Sequence, residues 1–185
     1  MDIKEKFIND FPIIGKRKTN KYIILFDAYT GMGKSTVSKM IQKYDNSVII
    51  NNDEIRNWLN DYSDNTNSKT ELQNYRLEML LNNNISCILD SCFSHNWREK
   101  KKYYDSLDIK YYIIRLVCDE EIVKKRLKKR IFGNGNYSIA NFDDYIWMVE
   151  NVEKVDDNLI SYTIDTSKDL EIQVKDFINK YKIEC

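Results

Sequence analysis

YIILFDAYTGMGKST, residues 22–36, is the stretch on which the reading of the chain turns. Its first five residues, YIILF (22–26), form an apolar run too short for a helix and bounded by polar residues, the pattern of a strand buried on both faces. Val37, Met40, Ile41 and Tyr44 then repeat at helical spacing. Between strand and helix lie Ala28, Tyr29, Thr30, Gly31, Met32, Gly33, Lys34, Ser35 and Thr36, a Walker A phosphate loop in its proper context. Small residues let successive backbone N–H groups curl around phosphate oxygens, and the following helix adds its positive end. In such a loop Lys34 reaches the β/γ-phosphates and the Ser35 hydroxyl ligates Mg²⁺, so ATP and Mg²⁺ are the expected ligands. Ala28 replaces the usual first glycine, a change alanine tolerates if its φ is negative.

Short apolar runs at 47–50, 86–90, 111–117 and 162–164 predict four further strands. Helices are predicted at 2–11, from Asp53 onward, and at 70–83, 95–106, 119–130, 142–158 and 169–181. Residues 61–69 and the glycine-bearing 132–140 read as loops. Strands alternating with helices define an α/β protein: a P-loop NTPase with a five-stranded parallel sheet sandwiched between helices. The expectation is one kinase-type domain over 1–185, with a helical extension at 1–20 and a small lid at about 126–140.

Bulk properties exclude more than they identify. Lys plus Arg and Asp plus Glu number 29 each, so no net field advertises a nucleic-acid or membrane partner, although a local basic patch can act within a neutral chain. Charges at Asp2, Lys4, Glu5 and Lys6 oppose a secretory signal, and no apolar run approaches the ~20 residues of a membrane span. Cys87, Cys92, Cys118 and Cys185 form no C-x-x-C pair and no metal spacing with His95, which reads as reduced thiols in a cytoplasmic, soluble protein with no membrane partner.

The chain has no N-K-x-D guanine reader and no D-x-x-G switch after its third strand, which counts against a GTPase. Instead Asp53 follows the second strand, with Arg56 three residues on and thus on the same helical face. Transfer to an acceptor hydroxyl needs a carboxylate beside that hydroxyl and a cation to hold the acceptor or its phosphate, and this pair offers both. The alternative is a helix-capping Asp with an exposed Arg. Asp90, ending the third predicted strand, is placed to hold Mg²⁺ through water, with Arg98 a candidate on the acceptor side. Arg126 and Arg130, one turn apart, lead into a loop holding Gly133 and Gly135, an arrangement able to close over a transferring phosphoryl group. Lys124, Lys125, Lys128 and Lys129 around them read as a solvated face.

AYTGMGKST, NNDEIR (51–56), ILDSCFSHNWR (88–98) and VKKRLKKR (123–130) together resemble P-loop kinases of the polynucleotide kinase and zeta-toxin-like group, which also includes adenylylsulfate kinases. The resemblance implies that Asp53 is the general base on a 5′-hydroxyl, that Arg56 contacts the acceptor, and that Arg126 and Arg130 belong to a lid. It also implies that IDTS (164–167), with Asp165 and Thr166, borders adenine. The first acceptor so implied is the 5′-OH end of single-stranded DNA or RNA, with basic groups at 98–102 and 124–130 and stacking on Trp58 and Trp97 in support. NNDEIRNWLN equally resembles the acceptor helix of adenylylsulfate kinases, which keeps a small-molecule acceptor open. A non-catalytic ATP-binding module is the third reading, opposed by the joint presence of Lys34, Ser35, Asp53 and Asp90.

Overall fold

A computed structural model describes residues 2–61, 69–130 and 138–183. Helix α1 (Ile3–Asp10) precedes β1 (Ile23–Asp27), and α2 (Lys34–Asp45) leads to β2 (Val48–Asn51), α3 (Asn52–Asn60) and α4 (Lys69–Asn82). Then come β3 (Cys87–Cys92), α5 (Trp97–Ser106), β4 (Tyr111–Val117), α6 (Glu120–Lys128), α7 (Phe142–Asn151), β5 (Tyr162–Asp165) and α8 (Leu170–Tyr181). All strand pairs are parallel, in the order β2-β3-β1-β4-β5.

Alternation along the central strands divides the apolar side chains between two cores. Ile24, Phe26, Ile88, Ile114 and Leu116 point to one face, where Val37 and Ile41 of α2, Val123 and Leu127 of α6 and Phe177 of α8 cover them. Ile23, Leu25, Leu89 and Ile113 point to the other, against Phe7 of α1, Ile55 of α3, Leu77 of α4 and Tyr104 of α5. Side chains of this kind each contribute about 1.5–3 kcal/mol when fully buried, so the two faces fix the layer order. The chain leaving β1 passes β3 to reach β2, and the chain leaving β3 passes β1 to reach β4. These connections diverge at the β1/β3 boundary, and such a switch point opens a crevice at the carboxyl ends of the strands.

Several boundaries differ from the sequence reading. Helix 142–158 stops at Asn151, and a separate 3-10 turn spans Asp157–Leu159. Val152 packs in one core and Val155 in the other, which takes the chain past the sheet edge and breaks the helical path. Strand β3 continues through Ser91 to Cys92, so Asp90 lies inside it rather than at its end. A register shift lets β3 run on: Ile24 pairs with Ile88 but Phe26 with Cys92. The α3 helix begins at Asn52 with Asn51 as its cap, so Asp53 does not start it. The amino-terminal segment, expected as a helical extension, packs on the rest of the domain: the Phe7 ring lies 5.2 Å from that of Trp58, and buried Lys18 pairs with buried Asp45 at 3.6 Å. Among the described residues no helix is long and apolar enough to cross a membrane.

Candidate active site

The phosphate loop keeps the geometry its glycines permit. Gly31 and Gly33 have φ of 76° and 93°, the left-handed region that other residues rarely adopt. A Cβ on Gly31 would meet Val123 Cγ1 at 2.8 Å and Leu127 Cδ1 at 2.9 Å, so this position also lets α6 approach. Gly33 caps α2 with backbone alone, leaving the first helical N–H groups facing the cleft. Ala28 is buried and is not among the residues of positive φ, so it stands at the first-glycine position without strain. Ala28, Tyr29 and Met32 bury their side chains, and a nucleotide would meet only their backbone. The Tyr29 hydroxyl donates to the Val152 carbonyl at 3.0 Å, tying the loop to the end of α7. Lys34 Nζ donates to the Tyr29 carbonyl at 2.7 Å, and its side chain lines the cleft with Thr30, Ser35 and Thr36.

Opposite the loop stands a pair of carboxylates. Asp90 is buried, and burial pushes its pKa up against the opposing pull of the Ser35 hydroxyl bond and of Lys34. Asn51 links it to α3: the amide nitrogen donates to Asp90 Oδ2 at 3.2 Å, while Oδ1 accepts from the Asp53 and Glu54 N–H groups at 2.8 and 3.2 Å. Asp53 therefore is not the helix cap. Its Oδ1 accepts from Arg56 at 2.7 Å, and both residues line the cleft. Ser35 and Asp90 fit Mg²⁺ on the chemistry of their donors: a hydroxyl bonded to a buried carboxylate that lacks a full ion-pair partner offers hard oxygens to a small dication. Among the described residues no group of three or more His, Cys, Asp or Glu could hold a metal ion by itself.

Both candidate lid arginines line the cleft. Arg126 donates to Thr166 Oγ1 at 2.9 Å and to the Thr166 carbonyl at 2.6 Å, and also contacts Cys118 Sγ at 3.4 Å. Arg130 donates to Ser138 Oγ at 2.9 Å, and burial lowers its pKa while Asp53 and Asp90 oppose the shift, so it sits in the field of both carboxylates. Lys125, Lys128 and Lys129 are exposed. Gly133 and Gly135, the expected hinge, lie outside the described residues.

Three readings need correction. Arg98 does not line the cleft; it is exposed, forks onto Glu153 and stacks on the Trp97 ring at 4.3 Å. Asp165 turns to Ser167 and to Lys168 at 3.0 Å rather than into the cleft, and these partners pull its pKa down to about 2. Trp58 and Trp97 are buried at 8% and 5% exposure, so neither offers a stacking face. Among the described residues, Trp147 on α7 offers one, 53% exposed and lining the cleft. Asn51 and Lys69 also escaped the sequence reading, and Lys100 entered it only as part of the basic group 98–102, because only the sheet order gathers α3, α4 and α5 at one crevice.

The cleft holds about 1380 Å³. That exceeds the ~300–1,000 Å³ of a pocket for one small ligand and gives room for a nucleotide and a second substrate.

A parallel sheet in this order, with the phosphate loop after β1 and paired carboxylates after β2 and on β3, defines the P-loop kinase type. The chain belongs to the AAA domain family, whose model matches residues 24–154. No curated protein matches the sequence. Among solved structures, the chain is similar to an adenylylsulfate (APS) kinase of Mycobacterium tuberculosis in complex with AMPPNP and APS, at TM-score 0.61 and 12% identity over 89% of this chain and 99% of that one. It is similar also to a sugar kinase of Janibacter sp. HTCC2649, at TM-score 0.60 and 13% identity over 89% and 95%. A gluconokinase of Sinorhizobium meliloti follows the same fold at TM-score 0.56 and 14% identity over 89% and 92%. At these identities the likeness speaks for the fold.

Proposed function

We propose that the protein is an ATP-dependent phosphotransferase that moves the γ-phosphoryl group to an acceptor hydroxyl. The observation that carries this reading is the convergence of Lys34, Ser35, Asp90, Asp53 and Arg130 on one cleft. Asp53, held by Arg56, takes the acceptor proton through its free oxygen as the new O–P bond forms. The bond between the γ-phosphorus and the bridging oxygen breaks, and ADP leaves with the electron pair. Mg²⁺, held by Ser35 with Asp90, would neutralise charge on the phosphates. Lys34 and Arg130 supply fixed positive charge where negative charge accumulates in the transition state.

The 5′-OH end of single-stranded DNA or RNA and a small hydroxyl compound are both acceptors for this chemistry. Two observations favour the small one. The aromatics invoked for base stacking are buried, and two cations of the α5 basic strip are paired, Arg98 with Glu153 and Lys101 with Asp105 at 2.7 Å. The similar solved structures, a sugar kinase, a gluconokinase and an adenylylsulfate kinase, lean the same way. The test is γ-labelled ATP against 5′-OH oligonucleotides, nucleosides, sugars and their phosphorylated forms, with Lys34→Ala as the control. Transfer by the native protein that the folded Lys34→Ala variant lacks supports the reading; equal transfer by both sinks it.

A further inference from the structure

The α3–α4–α5 side of the cleft gathers three cations that the chemistry above leaves unused or half used. Arg56 comes from α3, Lys69 is the first residue of α4, and Lys100 lies in α5; all three line the cleft. Arg56 gives one nitrogen to Asp53. Lys100 Nζ donates to the Cys92 carbonyl at 2.6 Å, a bond that anchors the ammonium and leaves its charge uncompensated. Lys69 has no hydrogen-bond or ion-pair partner among the described residues. Among the described carboxylates of the cleft, Asp53 is committed to Arg56, Asp90 accepts from Asn51 and Ser35, Asp144 accepts from the Asn141 N–H, and Glu99 is exposed on the cleft wall.

Burial is the first cause holding both lysines below their ordinary pKa, and each also feels a neighbouring cation: Arg56 acts on Lys69, and Lys69 on Lys100. Drawing like charges together out of water costs free energy, and an anion placed among them removes that cost.

We propose that Lys69 and Lys100, flanked by Arg56, form an anion subsite for a phosphomonoester on the acceptor, so that the substrate is a hydroxyl compound already bearing a phosphate. The charge count selects the anion. Two lysines match a phosphomonoester near its dianionic form, whereas a carboxylate or a sulfate ester carries only one negative charge. Three donors per ammonium also suit the three terminal oxygens of a phosphomonoester. Trp147 and Ile139, both largely exposed on the cleft wall, offer an apolar surface for the body of such a molecule. This inference rests on the kinase reading for the hydroxyl end of the acceptor but not for the binding of its phosphate.

The experiment uses matched pairs: adenosine with adenosine 3′-monophosphate, and ribose with ribose 5-phosphate. A 5′-OH oligonucleotide with and without a 3′-phosphate completes the set and separates a nucleic-acid source of the phosphate from a small-molecule one. Binding of each is measured by calorimetry with AMPPNP·Mg²⁺ present, and transfer with labelled ATP. We expect a phosphorylated member to bind at least about tenfold more tightly than its neutral twin. Lys69→Ala and Lys100→Ala should each remove about tenfold of that preference, as a rise in KM for the phosphorylated acceptor rather than in KM for ATP, with Lys69→Arg restoring part of it. Equal use of neutral and phosphorylated twins, or an equal loss for both in the lysine variants, overturns the subsite. Preferential binding of the phosphorylated twins without transfer keeps the subsite and overturns the kinase reading, and transfer to neutral acceptors alone does the reverse. Neither binding nor transfer overturns both.

Discussion

Asn51 spans the gap between the two carboxylates of the site: its amide nitrogen holds Asp90 at 3.2 Å, and its amide oxygen caps the helix that carries Asp53. One side chain thus sets the spacing between a candidate metal ligand and a candidate base. Both ends of an amide are needed, since a carboxylate lacks the donor and an alkyl group lacks both.

Substitution of Asn51 separates those two duties. Asn51→Ala should lose the cap, about 0.5–2 kcal/mol of stability, together with turnover. Asn51→Asp keeps a good cap and sets a second negative charge against buried Asp90, so it should fold nearly as well yet transfer poorly. Thermal unfolding and kcat on both variants decide this; a fully active Asn51→Asp protein would show that the bridge to Asp90 is dispensable.

Asp53→Asn is a cleaner test than the sequence alone allowed. Because Asn51 is the cap, stability should hardly change in this variant. Transfer should fall by about 10²–10⁴-fold, the usual contribution of a general base, while ATP affinity is kept. Unchanged transfer would leave Asp53 with no part beyond its ion pair with Arg56.

Asp90 should reveal a conflict between stability and function. Its folded-state pKa is raised, so near neutral pH the ionised, buried form weakens the fold, and protonation on acidification relieves that strain. In EDTA at pH 7, Asp90→Asn should therefore melt above the native protein, by about 2–4 °C if about 1 kcal/mol is relieved in a domain of this size. The gap should close as pH falls and Asp90 of the native protein takes up its proton. Added ATP·Mg²⁺ should stabilise the native protein far more than the variant. A variant that melts lower at pH 7 would mean that the Asn51 and Ser35 bonds outweigh the burial cost.

What the sequence made legible is local. The phosphate loop, the start of the helix expected from residue 119 and the β4 strand at 111–117 depend on neighbouring residues, and the structure places them where the pattern did. Asp119, for example, caps α6 by accepting from the Glu121 N–H at 2.8 Å. What the sequence hid is what the sheet assembles. Arg98 and Lys100 look alike in a basic run, yet one is exposed against Glu153 and the other is half-buried in the cleft, two positions apart on the turn of α5. The end of α7 was equally hidden, because nothing local says that Val152 and Val155 belong to different cores.

Arg126 and Arg130 should separate by function although they stand one turn apart. Arg126 is bonded twice to Thr166, the residue after β5, and its guanidinium comes within 3.5 Å of where a Cβ on Gly33 would sit, at the nucleotide end of the cleft. Arg130 lines the same cleft in the field of Asp53 and Asp90, the candidate base and the candidate metal ligand. Arg126→Ala should therefore raise KM for ATP as well as lower kcat. Arg130→Ala should lower kcat by about 10²–10³-fold, the usual cost of losing one preorganised charge-stabilising donor, with both KM values little changed. Arg130→Lys should recover only part of the loss, since the ammonium keeps the charge but not the planar fork. Steady-state kinetics with ATP and acceptor each varied in turn, over a salt series, provides the readout. A Lys128→Ala control on the exposed face of α6 should track the native enzyme throughout. Should both arginine variants keep full kcat and lose only acceptor affinity, with a salt slope lower by about one, then this end of α6 is an acceptor-binding surface and the phosphoryl clamp must be sought elsewhere.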